Sequence, residues 1–317
     1  MNTNRSCGCK SFNSCYTCEK EFGIKPKDPA QDLVNQYPKS KTLCFQCYGM
    51  YPTEQCHNCK EFKTSNEMFS GINIIQDFVT EEEENELISS LDDLPWDVSQ
   101  SGRRKQNFGP RANFKKRKVK VGPFKGFPKS TKFIQDRFST VPMLEDYKTV
   151  EQCSIEYRPE TGARIDPHID DCWVWGERIV QLNLLSDSFL TLIPFQGDEK
   201  TPSRYNLPDV KNYPRILNCH GDVQYNPFRK DANWNVSTNF QVDHPAENYS
   251  IRIPLPRRSL LVLFGNPRYN WEHCILRKDI ESRRIVIAYR ELTPPYLPNG
   301  PDEIIGRDIL EKAAMFF

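Results

Sequence analysis

The chain has 317 residues, which at roughly 100–200 residues per domain allows one large domain or two smaller ones. Hydrophobic residues make up 38% and aromatics 12%, enough for a packed core, so a disordered chain is excluded. With 43 basic against 42 acidic residues the net charge of +1 singles out no partner, and no run of about 18 apolar residues offers a membrane span. The opening MNTNRSCGCK lacks the apolar stretch of a secretory signal. The twelve cysteines are therefore expected in a reducing compartment, cytoplasm and nucleus, as metal ligands, reactive thiols or buried hydrophobes.

Eight of the cysteines precede residue 60. Cys7, Cys9, Cys15 and Cys18 come first; a polar Pro- and Lys-rich stretch, 23–41, separates them from Cys44, Cys47, Cys56 and Cys59. The second four read C-x2-C-x8-C-x2-C, two knuckles at zinc-ribbon-like spacing, which predicts a four-thiolate Zn(II) site. The first four offer a second such site, and spacing alone leaves open whether the pairs interleave. Residues 1–65 are thus expected to form a small Cys-rich zinc module, and 66–317 a separate domain.

Residues 72–75 read as a strand and 80–94 as a helix, with Thr80 and Glu83 forming a capping box. Four glutamates, Glu81 to Glu84, read as a solvated helix start that suits the positive end of the dipole. Between 101 and 135 there are twelve Lys/Arg and no Asp or Glu, interleaved with Phe108, Phe114, Phe124 and Phe127 and broken by Gly and Pro. This predicts a basic lid or hairpin over about 101–132. After Met143 short alternating or apolar runs at 153–157, 179–185, 189–193, 251–255, 260–264 and 284–290 are separated by turn residues, the pattern of a sandwich, jelly roll or barrel. A polar insertion covers about 196–246. Residues 301–317 read as a C-terminal helix burying Ile304, Ile305, Ile309, Leu310 and Ala313 on one face.

Five histidines exist. His168 and Asp170 are two apart in IDPHID, so in an extended segment they point to one side. That supplies two members of a 2-His-1-carboxylate set, the site type of non-haem Fe(II) oxygenases. His273, after the apolar run 260–264, fits the third place; His57, His220 and His244 sit in polar or Cys-rich surroundings and fit less well. Downstream, Arg284 and Arg290 share one strand face with Val286 and Ala288, while Ile285, Ile287 and Tyr289 face the other way. Inward arginines call for an anion, and the far carboxylate of a bound acid meets that demand with bidentate geometry. A solvated edge strand is the other reading.

These residues resemble the AlkB group of Fe(II)/2-oxoglutarate dioxygenases. SGRRKQ at 101–106, IDPHIDD at 165–171, WGER at 175–178, NLLS at 183–186 and the CGCK and C-x2-C pairs at 7–18 are closest to the AlkB homologue 4 subfamily. The likeness spans roughly 5–20 and 70–317. It implies a mainly β fold with flanking helices, a double-stranded β-helix (jelly roll). Iron would be held by His168, Asp170 and His273, and 2-oxoglutarate by Arg284 with Tyr157 and Arg290 beside it. Ile155 stands where the family carries an Asn, so Asn183 is a further candidate for that polar contact. The 105 residues between His168 and His273 exceed the family's usual span, and the 196–246 insertion accounts for the surplus.

The implied reaction consumes O2 and 2-oxoglutarate, yields succinate and CO2, and removes an N-methyl group as formaldehyde. Three substrate readings compete. The likeness implies monomethyl-lysine on actin, whose cation Asp171, Trp173 and Trp175 would receive; packing is the other reading of those three. It also suggests N6-methyladenine in DNA, with Arg103, Arg104, Lys105 and the rest of the basic stretch on phosphates and bases. A non-catalytic adaptor for DNA or protein is the third.

Overall fold

The computed structural model describes residues 5–10, 14–37, 39–52, 69–197, 204–229, 232 and 248–317. Cys56, Cys59, His57 and His244 lie outside the described residues, as do the boundary expected at residue 65 and much of the insertion. In chain order the strands are β1 (Lys39–Leu43), β2 (Met50–Tyr51), β3 (Ile72–Ile75), β4 (Asp97–Val98), β5 (Arg104–Phe108), β6 (Arg111–Asn113), β7 (Lys118–Lys120), β8 (Glu151–Tyr157), β9 (Ile165–His168), β10 (Trp175–Leu184), β11 (Ser188–Pro194), β12 (Tyr249–Leu255), β13 (Leu260–Leu263), β14 (Trp271–Ile275) and β15 (Arg284–Leu292). The helices are α1 (Tyr16–Glu21), α2 (Pro29–Val34), α3 (Glu81–Asp92), α4 (Lys132–Arg137), α5 (Gly265–Tyr269) and α6 (Glu303–Ala313). The fold is mainly β with flanking helices.

Two sheets carry the architecture, in the orders β2-β1-β12-β11-β14-β9 and β3-β13-β10-β15-β8-β5-β4. Strand periodicity explains how they pack. From β13, Leu261 and Leu263 meet Leu190, Leu192, Ile251 and Ile253 of the other sheet, while Leu260 and Val262 join Leu87, Leu91, Ile134 and Phe138 on the helix-covered side. A strand buried on both faces needs a continuous apolar run, which is what LLVL supplies. β15 divides the same way: Ile285, Ile287 and Tyr289 lie on the helix side and Val286 between the sheets. Among the described residues no helix is long and apolar enough to cross a membrane.

Two expectations change. The capping box of Thr80 and Glu83 forms, but Glu84 is not solvated. It is fully buried, accepting from the Leu185 backbone N–H at 2.7 Å and pairing with Arg257 at 2.5 Å. The α6 face is rotated: Gly306, Ile309 and Ala313 are buried, while Ile304 is 68% exposed. Gly306 sets that orientation, because a Cβ there would lie 1.6 Å from the Tyr296 carbonyl oxygen. The basic stretch is divided between β5, inside the seven-stranded sheet, and the separate β6–β7 hairpin. Within the Cys-rich segment, β1 pairs in parallel with β12, Lys39 opposite Tyr249.

Candidate active site

β9 and β14 run antiparallel with His168 directly opposite His273, and their ring centres are 4.3 Å apart. The His168 Nδ1 is 2.9 Å from the Asp166 carbonyl, which can only accept, so Nδ1 carries the proton and Nε2 stays free to ligate. Burial, and for His273 also the neighbouring ring, pushes both imidazoles below their ordinary range, His273 far below it. Both are therefore neutral, the form that binds metal. Among the described residues, Asp170 Oδ2 and the Nδ1 of His273 itself are buried without a hydrogen-bond partner. Burial alone would raise the pKa of Asp170, but the charge of Arg290 and the two imidazoles hold it well below the usual carboxylate range.

On β15, Arg284 lies opposite Tyr157 of β8, its guanidinium 5.0 Å from the ring centre. Arg284 is fully buried; its Nε donates to Asn183 Oδ1 at 2.6 Å, and among the described residues both buried Nη atoms lack a hydrogen-bond partner. Burial lowers its pKa, the cost of a charge without a counter-ion. Asn183 does not offer a polar group to the open space. Its Nδ2 donates to the carbonyls of Ser186, Leu255 and Pro256 at 2.9–3.0 Å, and its Oδ1 takes Arg284. It holds the arginine in place. Arg290 is bound differently, donating to Asp170 at 2.9 Å and to Glu151 at 2.6 Å, with Trp175 5.8 Å from its guanidinium carbon.

The other expected positions separate. Arg104 makes a bidentate pair with Glu156 (2.5 and 2.8 Å) on the face where Gln106 reaches the carbonyls of Leu91 and Leu94 at the end of α3. It is turned from the histidines, while the charges of Arg103 and Lys105 act on His168 and Glu151. Asp171 accepts from Asn206 of the insertion at 2.8 Å, and burial raises its pKa. Trp173 is 5% exposed and packs edge-on against Phe114 of the hairpin, which is half-exposed, and against Tyr296. The hairpin flanks a groove of about 770 Å³ lined by Arg111, Phe114, Lys115, Lys116, Lys118 and Lys120. Sequence reasoning missed Arg164, Asp166 and Glu151. The first two were within reach, since Arg164, Asp166, His168 and Asp170 alternate with period two.

A second cluster forms at the N-terminus. The sulfur atoms of Cys7, Cys9, Cys15 and Cys18 all lie within 4.8 Å of one another, with Cys7–Cys18 at 3.1 Å and Cys15–Cys18 at 3.9 Å. Tetrahedral Zn–S bonds of about 2.3 Å put sulfurs about 3.8 Å apart, so the quartet fits a metal. Among the described residues, this quartet meets that closeness; the His168, Asp170 and His273 donors are more open, with one oxygen of Asp170 held by Arg290. Arg5 donates to Cys18, whose thiol falls to about 7: burial opposes the shift, and hydrogen bonds from Cys7, the Cys15 backbone and Arg5 outweigh it. Cys44 is buried, and Cys47 bonds the Tyr51 hydroxyl at 2.8 Å.

Comparison with known proteins gives the class: the chain is an Fe(II)- and alpha-ketoglutarate (2-oxoglutarate)-dependent dioxygenase. It is 36% identical over 313 residues to the mouse alpha-ketoglutarate-dependent dioxygenase alkB homolog 4, covering 98% of this chain and 95% of that protein. Against the human protein of the same name identity is 37% over 317 residues, with 98% and 94% covered. The chain therefore belongs to the AlkB homolog 4 family. It is also 26% identical over 311 residues to a DNA N6-methyl adenine demethylase of Caenorhabditis elegans, covering 93% of this chain and 90% of that protein. No family model matches the chain.

Proposed function

We propose that this protein removes N-methyl groups oxidatively on a jelly-roll scaffold, with Fe(II) held by His168, Asp170 and His273 and 2-oxoglutarate held by Arg284. The observation that carries the reading is the pair of orphaned Nη atoms on the buried Arg284. A buried guanidinium with two unanswered donors is costly, and a carboxylate answers both at once. The Asp170 Oδ2 and His273 Nδ1 left without partners fit a metal in the same way. When bound, iron with 2-oxoglutarate and O2 supplies the oxidising power for a C–H bond of the methyl group, and the hydroxymethylamine so formed loses formaldehyde.

The chain's own contribution is placement. Asn183 fixes the Arg284 fork through Nε and leaves both Nη atoms to the cosubstrate's far carboxylate, while Tyr157 packs against the guanidinium. Arg290 keeps Asp170 ionised and, with Glu151, fixes its rotamer. The Asp166 carbonyl sets the His168 tautomer. Cys7, Cys9, Cys15 and Cys18 hold a structural Zn(II) in this reading, and the module they begin accompanies a catalytic domain over 66–317.

The substrate reading is a methylated protein lysine, monomethyl-lysine on actin, in cytoplasm and nucleus. Its support is acidic Asp171 next to the iron ligands, with the Phe114, Trp173 and Tyr296 rings in contact nearby. A second reading, N6-methyladenine in DNA, is favoured by the basic groove of the hairpin and by the similarity to the nematode DNA N6-methyl adenine demethylase. The deciding experiment measures 2-oxoglutarate-dependent formaldehyde release from methyl-lysine actin peptides and from N6-methyladenine oligonucleotides side by side. Faster turnover of the peptide supports the first reading and of the oligonucleotide the second. Release from neither, with no uncoupled succinate, would return the protein to the adaptor class.

A further inference from the structure

The four-cysteine cluster and the histidine pair are joined by a short chain of hydrogen bonds. The Ser14 carbonyl, next to Cys15, accepts from Arg164 at 2.7 Å and from Arg277 at 3.2 Å. Arg164 immediately precedes β9, which carries His168; Arg277 lies two residues beyond β14, which carries His273. Arg164 is fully buried and its Nε donates to Asp166 Oδ1 at 2.9 Å. The Asp166 carbonyl in turn takes the His168 Nδ1–H. Arg277 is clamped a second time by Glu19 of α1 at 2.7 Å, next to Cys18.

The same cluster reaches Arg164 from the other side. The Ser101 N–H donates to Cys9 Sγ at 3.2 Å, and the Ser101 carbonyl accepts from the Arg164 N–H at 3.1 Å. Two glycines let the segments close on one another. A Cβ on Gly102 would lie 2.6 Å from the Thr161 carbonyl oxygen and 3.2 Å from the Cys15 Cβ, and one on Gly162 2.8 Å from the Tyr16 ring.

What orders residues 14–19 is therefore decisive for both histidine strands. The six-residue α1 is too short to hold itself together. The four cysteines form their own small cluster, with Ile24 partly buried against it, and that is too little apolar surface for a core. A bound metal is what such a segment uses instead.

We propose that a thiolate-seeking divalent metal, zinc by its coordination chemistry, bound at Cys7, Cys9, Cys15 and Cys18 positions the histidine pair through Ser14, Arg164 and Arg277, so that occupancy of the cysteine site sets Fe(II) affinity. This rests on the iron and zinc readings above and deepens them by assigning the N-terminal metal a regulatory part. Coupling between two binding sites is reciprocal, so iron loading also tightens the cysteine site. Arg164 and Arg277 are positioning residues here, not ligands.

The test uses the full chain without oxygen. Zinc is counted by metal analysis, and Fe(II) affinity is read from the visible charge-transfer band of the Fe(II)–2-oxoglutarate complex, with thermal melting as the control for folding. Wild type should hold zinc at the quartet and show the band. Cys15→Ser with Cys18→Ser should lose that zinc and weaken Fe(II) binding roughly 10–100-fold, the usual cost of disturbing what orients a metal's ligands. Arg164→Gln and Arg277→Gln should keep zinc yet weaken Fe(II) in the same direction without a matching fall in melting temperature. Zinc absent from wild type overturns the proposal through its cysteine premise, and zinc without an iron band overturns it through its iron premise. Zinc lost while iron affinity stays within about twofold overturns the coupling itself and leaves both premises standing. If the cysteine double variant does not fold, unchanged iron affinity in the two arginine variants overturns it equally.

Discussion

The two ends of β15 hold chemically identical side chains in opposite conditions. Arg290 is matched on two sides, by Asp170 and Glu151, and its pKa rises despite burial. Among the described residues Arg284 has one amide oxygen on Nε and no hydrogen-bond partner on either Nη atom, and its pKa falls through burial against the opposing pull of Tyr157. A buried charge answered by the protein is part of the frame. One left unanswered reserves a place for something the protein binds. The difference separates residues that sequence spacing treats as a pair.

Substitutions can break that comparison. The largest effect falls at the Arg290 end, where the carboxylate it orders belongs to the proposed iron set. His273→Ala or Asp170→Ala should abolish Fe(II) binding and turnover, read by anaerobic titration and succinate release. Full turnover in His273→Ala would mean that His273 is not the third ligand. Next, Arg290→Gln strands Glu151 and Asp170 as buried carboxylates without a cation, a loss of about 3–5 kcal/mol in unfolding free energy by denaturant titration.

Arg284 should behave in the opposite sense. Arg284→Gln should weaken 2-oxoglutarate by about 1.5–3 kcal/mol, seen in its KM, with iron affinity unchanged. The ligand-free Arg284→Met protein should melt no lower than wild type, because the removed charge had no full partner. A stability loss like that of Arg290→Gln would erase the distinction.

A smaller effect concerns pH. Glu156 is ringed by Arg104, Arg158 and Arg283, which outweigh its burial and hold its pKa at about 2, against an ordinary 4.5. Its stabilising contribution is therefore complete above about pH 4.5 and lost as pH falls toward 2. Glu156→Gln should flatten the stability profile across that window. The smallest is a slope: if DNA binds the hairpin, Lys115→Gln and Lys116→Gln should each reduce the salt dependence of binding by about one unit. A salt-independent affinity would remove the hairpin from consideration.

A continuous apolar run made β13 legible, and period-two alternation made β15 legible, including which β15 residues share a face, because each face packs against a continuous layer. The histidine–carboxylate spacing was legible for the same reason. What stayed hidden depends on partners far along the chain. Glu84 looked solvated because Arg257, its counter-ion, lies 173 positions away. Arg104 read as a phosphate contact because nothing near it in sequence shows that its Nε and Nη2 donate to Glu156, 52 positions on. Helix α6 was rotated by one close approach at Gly306, which carries no hydropathy signal. Asn183 read as a ligand group because nothing in its own segment shows four hydrogen bonds already made.

The parallel pairing of β1 with β12 has a consequence for how the chain is made. The strand at Lys39–Leu43 emerges from the ribosome early, yet its partner begins about 210 residues later, at Tyr249. At roughly 5–20 residues per second, that leaves a polar edge-forming segment waiting about 10–40 seconds before its hydrogen bonds can close. The four thiols of the proposed metal site, Cys7, Cys9, Cys15 and Cys18, are all made before that interval begins, so the site's ligands precede the sheet they pack against.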